Sequence, residues 1–153
     1  MLISKLDDTS LRPYLVKLLA TREHSQQELL EKIKKRGFET KDPLLAVQEL
    51  EEQGLQSDER FASEYIRSKL KGGYGPIRIK RGLLEKGVEK KMALGSLKEL
   101  EIDWFECAKK TYDKKFDSEI RDVKDYARRV RFLVYKGFET VHVKAVMGEW
   151  DNQ

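Results

Sequence analysis

A chain of 153 residues with 38% charged residues, a net charge of +4, three prolines and one cysteine has room for one compact unit or a short array of repeats. The lone Cys107 excludes an internal disulfide framework, and no stretch approaches the roughly 18 apolar residues that a membrane helix needs. Charge well above the usual level of about 25% leaves a thin core, which suits helices that each carry one apolar stripe.

Taken in chain order, Met1–Asp8 lacks the apolar run of a secretion signal. With a single thiol, that predicts a cytoplasmic protein. Pro13 opens a helix carrying Leu15, Val16, Leu18 and Leu19. Ser25-Gln26-Gln27-Glu28 is a capping box that starts a second helix. Ser57 or Asp58 caps the next one, where Phe61, Ala62, Tyr65, Ile66 and Leu70 recur at helical spacing. Phe61 is expected in the core, and Arg60 is expected to join two repeats through a carboxylate. Gly72-Gly73 ends that helix, and Gly75-Pro76 opens its successor with proline at the first helical position. Asp103 caps a helix bearing Trp104, Cys107, Ala108, Tyr112 and Phe116. Ile120, Val123, Ala127, Val130 and Val134 are then expected to line a long helix, with Trp104 and Trp150 in core or inter-repeat contacts.

Three glycines, Gly37, Gly87 and Gly137, stand fifty residues apart. Each follows a cation (Arg36, Lys86, Lys136) and precedes an apolar residue (Phe38, Val88, Phe138). Four residues earlier stand Ile33, Leu83 and Leu133; further on come Val47, Leu97 and Met147, then Leu50, Leu100 and Trp150. A glycine closing a helix in the left-handed conformation explains the pattern, with the cation at the negative end of the helix dipole. The fold predicted is all-α: three tandem three-helix repeats, 11–54, 57–102 and 103–150, forming an elongated, curved helical solenoid.

Charge is distributed unevenly. From Arg67 to Lys91 nine cations stand against two acids, whereas from Arg22 to Glu59 six cations stand against ten. The basic middle can track a phosphate backbone or an acidic protein groove; the acidic first third argues against a protein that coats nucleic acid along its whole length. Candidate contacts are Arg67, Lys69, Lys71, Arg78, Lys80 and Arg81, with Tyr74 able to stack on a base or to pack over its own loop. Arg128, Arg129 and Arg131 belong to a second basic face, offset by Asp122 and Asp125, which reads more simply as solvated helix with a pair such as Asp125–Arg129. Gly37, Gly87, Gly137, Asp58, Arg60 and Phe61 read as structural. His24 and His142 lack metal-ligand spacing, Cys107 lies on an apolar face, and the glycine loop lacks the end of a P-loop. These signs predict neither an enzyme nor a cofactor or metal site.

The central segment carries a family resemblance: Asp58-Glu59-Arg60-Phe61-Ala62, Tyr65-Ile66, Arg67-Ser68-Lys69, Gly75-Pro76-Ile77-Arg78-Ile79 and Leu83-Leu84-Glu85-Lys86-Gly87-Val88. Leu19-Ala20, Arg22-Glu23-His24-Ser25 and Glu28-Leu29 before it, and Arg131-Phe132-Leu133, Gly137-Phe138 and Trp150 after it, extend the match. The chain resembles the RecX family. The resemblance implies a regulator that binds the RecA recombinase filament on single-stranded DNA, and a monomer is the default expectation. Such a protein would limit filament growth, ATP hydrolysis, strand exchange and co-protease activity in recombination and the SOS response. A helical protein acting directly on single- or double-stranded DNA is the alternative reading, and a helical scaffold for another partner is a third.

Overall fold

The computed structural model describes residues 8–151; Met1–Leu6 and Asp7, on which the leader reading largely rests, lie outside them. Among the described residues, a short 3-10 turn at Asp8–Ser10 is followed by nine α-helices: α1 (Leu11–Thr21), α2 (Gln26–Arg36), α3 (Pro43–Glu52), α4 (Asp58–Lys71), α5 (Pro76–Glu85), α6 (Lys90–Glu99), α7 (Trp104–Lys115), α8 (Val123–Tyr135) and α9 (Thr140–Met147). The described residues contain no strand. The core divides by triplet. Leu11, Leu15, Leu29, Ile33, Val47 and Leu50 fill the first cluster. Phe61, Ala62, Ile66, Ile79, Leu83, Val88 and Ala93 fill the second. Ala108, Leu133, Phe138 and Val143 fill the third. Trp104 packs against both the second and the third.

The three glycines terminate α2, α5 and α8 in one way. Gly37, Gly87 and Gly137 have φ of 86°, 85° and 100°. The next residue donates its N–H back five positions: Phe38 to the Ile33 carbonyl, Val88 to Leu83 and Phe138 to Leu133, at 3.3, 3.0 and 3.2 Å. This left-handed termination satisfies carbonyls that the last helical turn leaves open.

These ends also join the triplets. At one joint, the Gly75 and Ile77 N–H groups, which α5 cannot satisfy internally, donate to the carbonyls of Lys136 and Gly137 at the end of α8, at 2.7 and 2.9 Å. At the other, Ser25 Oγ donates to the Lys86 carbonyl at 2.8 Å and Gln27 Nε2 to the Glu85 carbonyl at 2.6 Å. The start of α5 therefore meets the end of α8, and the start of α2 meets the end of α5. Aligned dipoles favour both junctions.

A polar network reinforces the joint between the first two triplets. Asp58 Oδ1 accepts from the Gln26 N–H and from Gln56 Nε2, both at 2.9 Å. Arg60 Nε donates to Glu23 Oε1 at 2.9 Å, and Arg60 Nη2 to the Gly54 carbonyl. Glu28, almost fully buried, pairs with Arg22 at 3.1 Å and Lys86 at 3.6 Å. Burial pushes its carboxyl up, but the Arg22 and Ser25 hydrogen bonds and the Arg22 and Lys86 charges hold it below the ordinary value.

Local geometry departs from expectation at several points. α1 begins at Leu11, with Pro13 inside its first turn, where a missing N–H costs nothing. Ser57 alone caps α4, accepting from the Arg60 N–H, which leaves Asp58 to serve the start of α2. Phe116 follows the end of α7, and Ile120 precedes α8. In α8 the buried stripe is Asp125, Arg129 and Leu133, whereas Val123 and Val134 are exposed. Charge hid that stripe, because two of its three members are an ion pair. Trp150 lies beyond α9, against the Tyr126 ring at 5.6 Å.

Candidate partner-binding interface

The turn between α4 and α5 is built for close approach. Gly73 takes φ of 79°, and a Cβ on Gly75 would lie 2.5 Å from the Gly137 backbone. Brought down on the end of α8, this turn places Tyr74 among cations from three helices: Lys136 Nζ is 4.2 Å from the ring centre, Arg78 4.6 Å and Lys69 5.4 Å. Arg78 also lies 4.7 Å from the Tyr135 ring and donates to the Tyr135 carbonyl at 3.2 Å. Its guanidinium is thus stacked between two tyrosines, a strong cation–π arrangement. Gly82 leaves room for Tyr65 to lie across α5, since a Cβ there would meet the Tyr65 hydroxyl at 1.9 Å.

The result is a groove of about 540 Å³ lined by Tyr65, Lys69, Tyr74, Ile77, Arg78, Arg81, Val134 and Tyr135 among others. Glu85 is the acid on its wall. Three apolar or aromatic side chains here stay open to solvent: Ile77 is 44% exposed, Val134 56% and Tyr135 69%. A basic groove edged by exposed apolar groups has the composition of protein-docking hot spots, which favour Tyr and Arg.

Of the residues singled out in the sequence, Lys69, Tyr74, Arg78 and Arg81 converge on this groove. Arg67 faces a separate depression with Glu23, Glu59, Arg60 and Glu64. Lys71 borders that depression and also a lysine-lined cleft beside the Gly72-Gly73 turn. Lys80 and Arg131 do not line the groove. Arg128 is held by Asp125 at 2.7 Å and stacks 5.2 Å from the Phe116 ring.

Arg129 is a correction to the second basic face: it is 1% exposed and cannot meet a partner. It pairs with Asp125 at 3.0 Å and donates to the Tyr112 hydroxyl and to the Ser118 and Glu119 carbonyls. The i,i+4 pair read from the sequence exists, but it is core. Sequence reasoning missed Tyr65, Ile77, Val134 and Tyr135. Helical periodicity reads apolar side chains as core, and only the joint between triplets brings these four together at the surface.

Neither histidine nor the cysteine offers a free reactive group. His24, buried, donates from Nδ1 to the Arg22 carbonyl at 3.0 Å, and burial lowers its pKa. His142 accepts the Glu139 N–H at the start of α9. Burial pushes the Cys107 thiol up, away from nucleophilic thiolate. Among the described residues no group of three His, Cys, Asp or Glu could hold a metal ion, and no helix is long and apolar enough to cross a membrane.

Comparison with known proteins adds a family context. Residues 57–93 match the model for the second three-helix domain of RecX, and residues 101–147 the model for the third. The regulatory protein RecX of Chromohalobacter salexigens is 36% identical over 138 residues, spanning 90% of this chain and 91% of that protein. That of Legionella pneumophila is 34% identical over 148 residues, spanning 96% and 95%. Among solved structures, a crystal structure of regulatory protein RecX superposes with a TM-score of 0.78, at 19% identity over 92% of this chain and 73% of that one. RecX from Lactobacillus salivarius superposes with a TM-score of 0.74, at 18% identity over 90% and 92%. At such identities the structural likeness speaks for the fold, while the sequence relatives speak for kinship.

Proposed function

Because the chain belongs to the RecX family of regulatory proteins, we propose that it binds the RecA recombinase filament on DNA and restrains it. The expected consequences are reduced filament growth, ATP hydrolysis, strand exchange and co-protease activity, and so modulation of recombination and repair. It acts as a cytoplasmic monomer and as a binding protein, not an enzyme.

One observation carries this reading: Arg78 stacked between Tyr74 and Tyr135, beside exposed Ile77 and Val134. Phosphate alone would leave the apolar edge unused. An acidic protein surface with an apolar centre would use both. Docked across two adjacent recombinase subunits, a stiff helical array fixes their relative rotation and so slows a cycle that needs it.

The test is ATP hydrolysis by the cognate recombinase on single-stranded DNA, titrated with the full chain. Inhibition is expected below one chain per recombinase subunit. The variant Arg81→Glu/Tyr135→Ala, changed at exposed positions, should need at least about ten-fold more protein for half inhibition, as loss of hot-spot contacts worth about 2 kcal/mol would require. Wild-type protein without effect at equimolar ratio, or a double variant as potent as wild type, would sink the filament reading. The second reading, direct action on DNA, draws its support from the lysine cleft.

A further inference from the structure

We propose that the groove has a second occupant besides the recombinase: the acidic outer face of α3 from another copy of this chain, in a two-fold pair that keeps the groove covered until the filament competes for it. This rests on the groove being the docking surface argued above, with the single chain as the form that acts. α3 carries Glu49, Glu51 and Glu52 and no cation. Its inner side, Val47 and Leu50, belongs to the first core cluster. Its outer side leaves Leu44, Leu45, Glu49 and Glu52 exposed, and Leu55 stands exposed just beyond its end.

A single exposed leucine is ordinary. What separates α3 from the other helices is the sign of the charge beside its leucines. Exposed large apolar side chains also stand on α5, α6, α7, α8 and α9, among them Leu94, Phe105 and Val141. Each of those five helices has more cations than acids. None of them suits a groove whose wall holds Lys69, Arg78 and Arg81 against one acid, Glu85. α3 suits it twice over. Its leucines match the exposed Ile77, Val134 and Tyr135, and its glutamates match the cations. Leu45, Glu49 and Glu52 follow at i, i+4 and i+7, so apolar and acidic groups share one helical face, as a helix laid in a groove requires.

Within one folded chain the two surfaces do not meet. α3 packs on α2 in the first triplet, whereas the groove lies where the second triplet joins the third. A second copy reaches both. Two-fold symmetry makes the contact reciprocal, so that each chain gives one α3 and receives another, and the assembly closes at two. One short helix per contact keeps the pair at the weak, transient end of protein interfaces. Pairing and filament binding then exclude each other, and a rising chain concentration holds the regulator in a covered form that the filament draws down.

Sedimentation velocity of the full chain without recombinase, from about 5 to about 500 µM, covers the range of weak complexes. Wild type should pass from one chain to two and no further, and salt raised from about 50 to about 300 mM should weaken the pair, as screened charge requires. Leu44→Ser/Leu45→Ser, at exposed positions, should raise the dissociation constant at least about ten-fold. Charge exchange gives a second test. Glu49→Lys/Glu52→Lys makes both surfaces basic and Lys69→Glu/Arg81→Glu makes both acidic, so each variant should stay single by itself. Mixed in equal amounts they should pair, because each α3 then meets a groove of opposite sign. Lys90→Gln/Lys91→Gln on α6 should pair as wild type does, and thermal melts followed by circular dichroism check that each variant is folded. In the ATPase titration, run below the pairing range, the leucine variant should inhibit as wild type does. The proposal is overturned if wild type stays single or grows past two, if the leucine variant pairs as wild type does, if the mixture fails to pair, or if the leucine variant loses inhibition, which would put α3 on the filament. A wild-type chain that pairs as described yet leaves ATP hydrolysis unchanged overturns the filament reading and supports the pair, so the two fail separately.

Discussion

A Cβ added to Gly75 would sit 2.5 Å from the carbonyl of Gly137, inside any tolerable contact. The φ of Gly75 is −93°, which every residue adopts, so the cost of a side chain there is purely steric. Gly37 is the opposite case, with φ of 86° and open space where a Cβ would go. Gly37→Ala should cost about 1–2 kcal/mol of backbone strain. Gly75→Ala forces α5 off the end of α8 and should cost about 3 kcal/mol or more. Urea denaturation of the two variants checks the order; a Gly75→Ala protein as stable as Gly37→Ala would mean the joint yields freely. Both glycines were legible as turn residues, but only the neighbour across the joint separates conformational need from lack of space.

At the scale of an element, α8 is the instructive one. Asp125 accepts from Arg128, the Arg121 N–H and Arg129, and these hydrogen bonds, in that order, hold its carboxyl well below the ordinary aspartate value. Through Arg129 the pair fastens the non-helical stretch at Ser118 and Glu119 to α8. The folded protein keeps Asp125 ionised where the unfolded chain takes up a proton. Its stabilising contribution is therefore complete above about pH 4 and is lost as the pH falls below that. Asp125→Asn should lower the melting temperature at neutral pH, flatten the fall in stability below about pH 4, and speed amide exchange over residues 117–122. Unchanged exchange there would show that the pair does not hold the connection. The i,i+4 spacing was readable, but the burial was not, because a charged pair on a helix is ordinarily solvated and nothing local marks one that is enclosed.

For the whole molecule, the helix-to-helix joints decide how the three triplets act as one body. Ser25 Oγ accepts the Glu28 N–H within α2 and donates to the Lys86 carbonyl at the end of α5. Ser25→Ala removes a cap worth about 1 kcal/mol and one bond across the joint. In an array stabilised by nearest-neighbour contacts, the first triplet should then open ahead of the others. Hydrogen exchange should rise across α1–α3 and hold steady across α7–α9; a uniform rise would show that the joints transmit the loss through the whole array.

The helical class, the glycine stops at a fifty-residue period, the capping box at Ser25–Glu28 and the family were legible in the sequence, because each depends on interactions within a few residues or on a repeated pattern. The sequence also placed Lys69, Tyr74, Arg78 and Arg81 among the candidates, since cations and aromatics crowd that stretch. Tertiary structure alone decided which of these share a groove, that Tyr135 and Val134 complete it, that Arg129 is core, and that lysines from α4, α7 and α8 meet in one cleft. The physical reason is that all four depend on contacts between residues far apart in the chain. Those contacts are made partly by backbone carbonyls and N–H groups and partly by side chains such as Ser25 and Arg129, and no local pattern marks which residues meet.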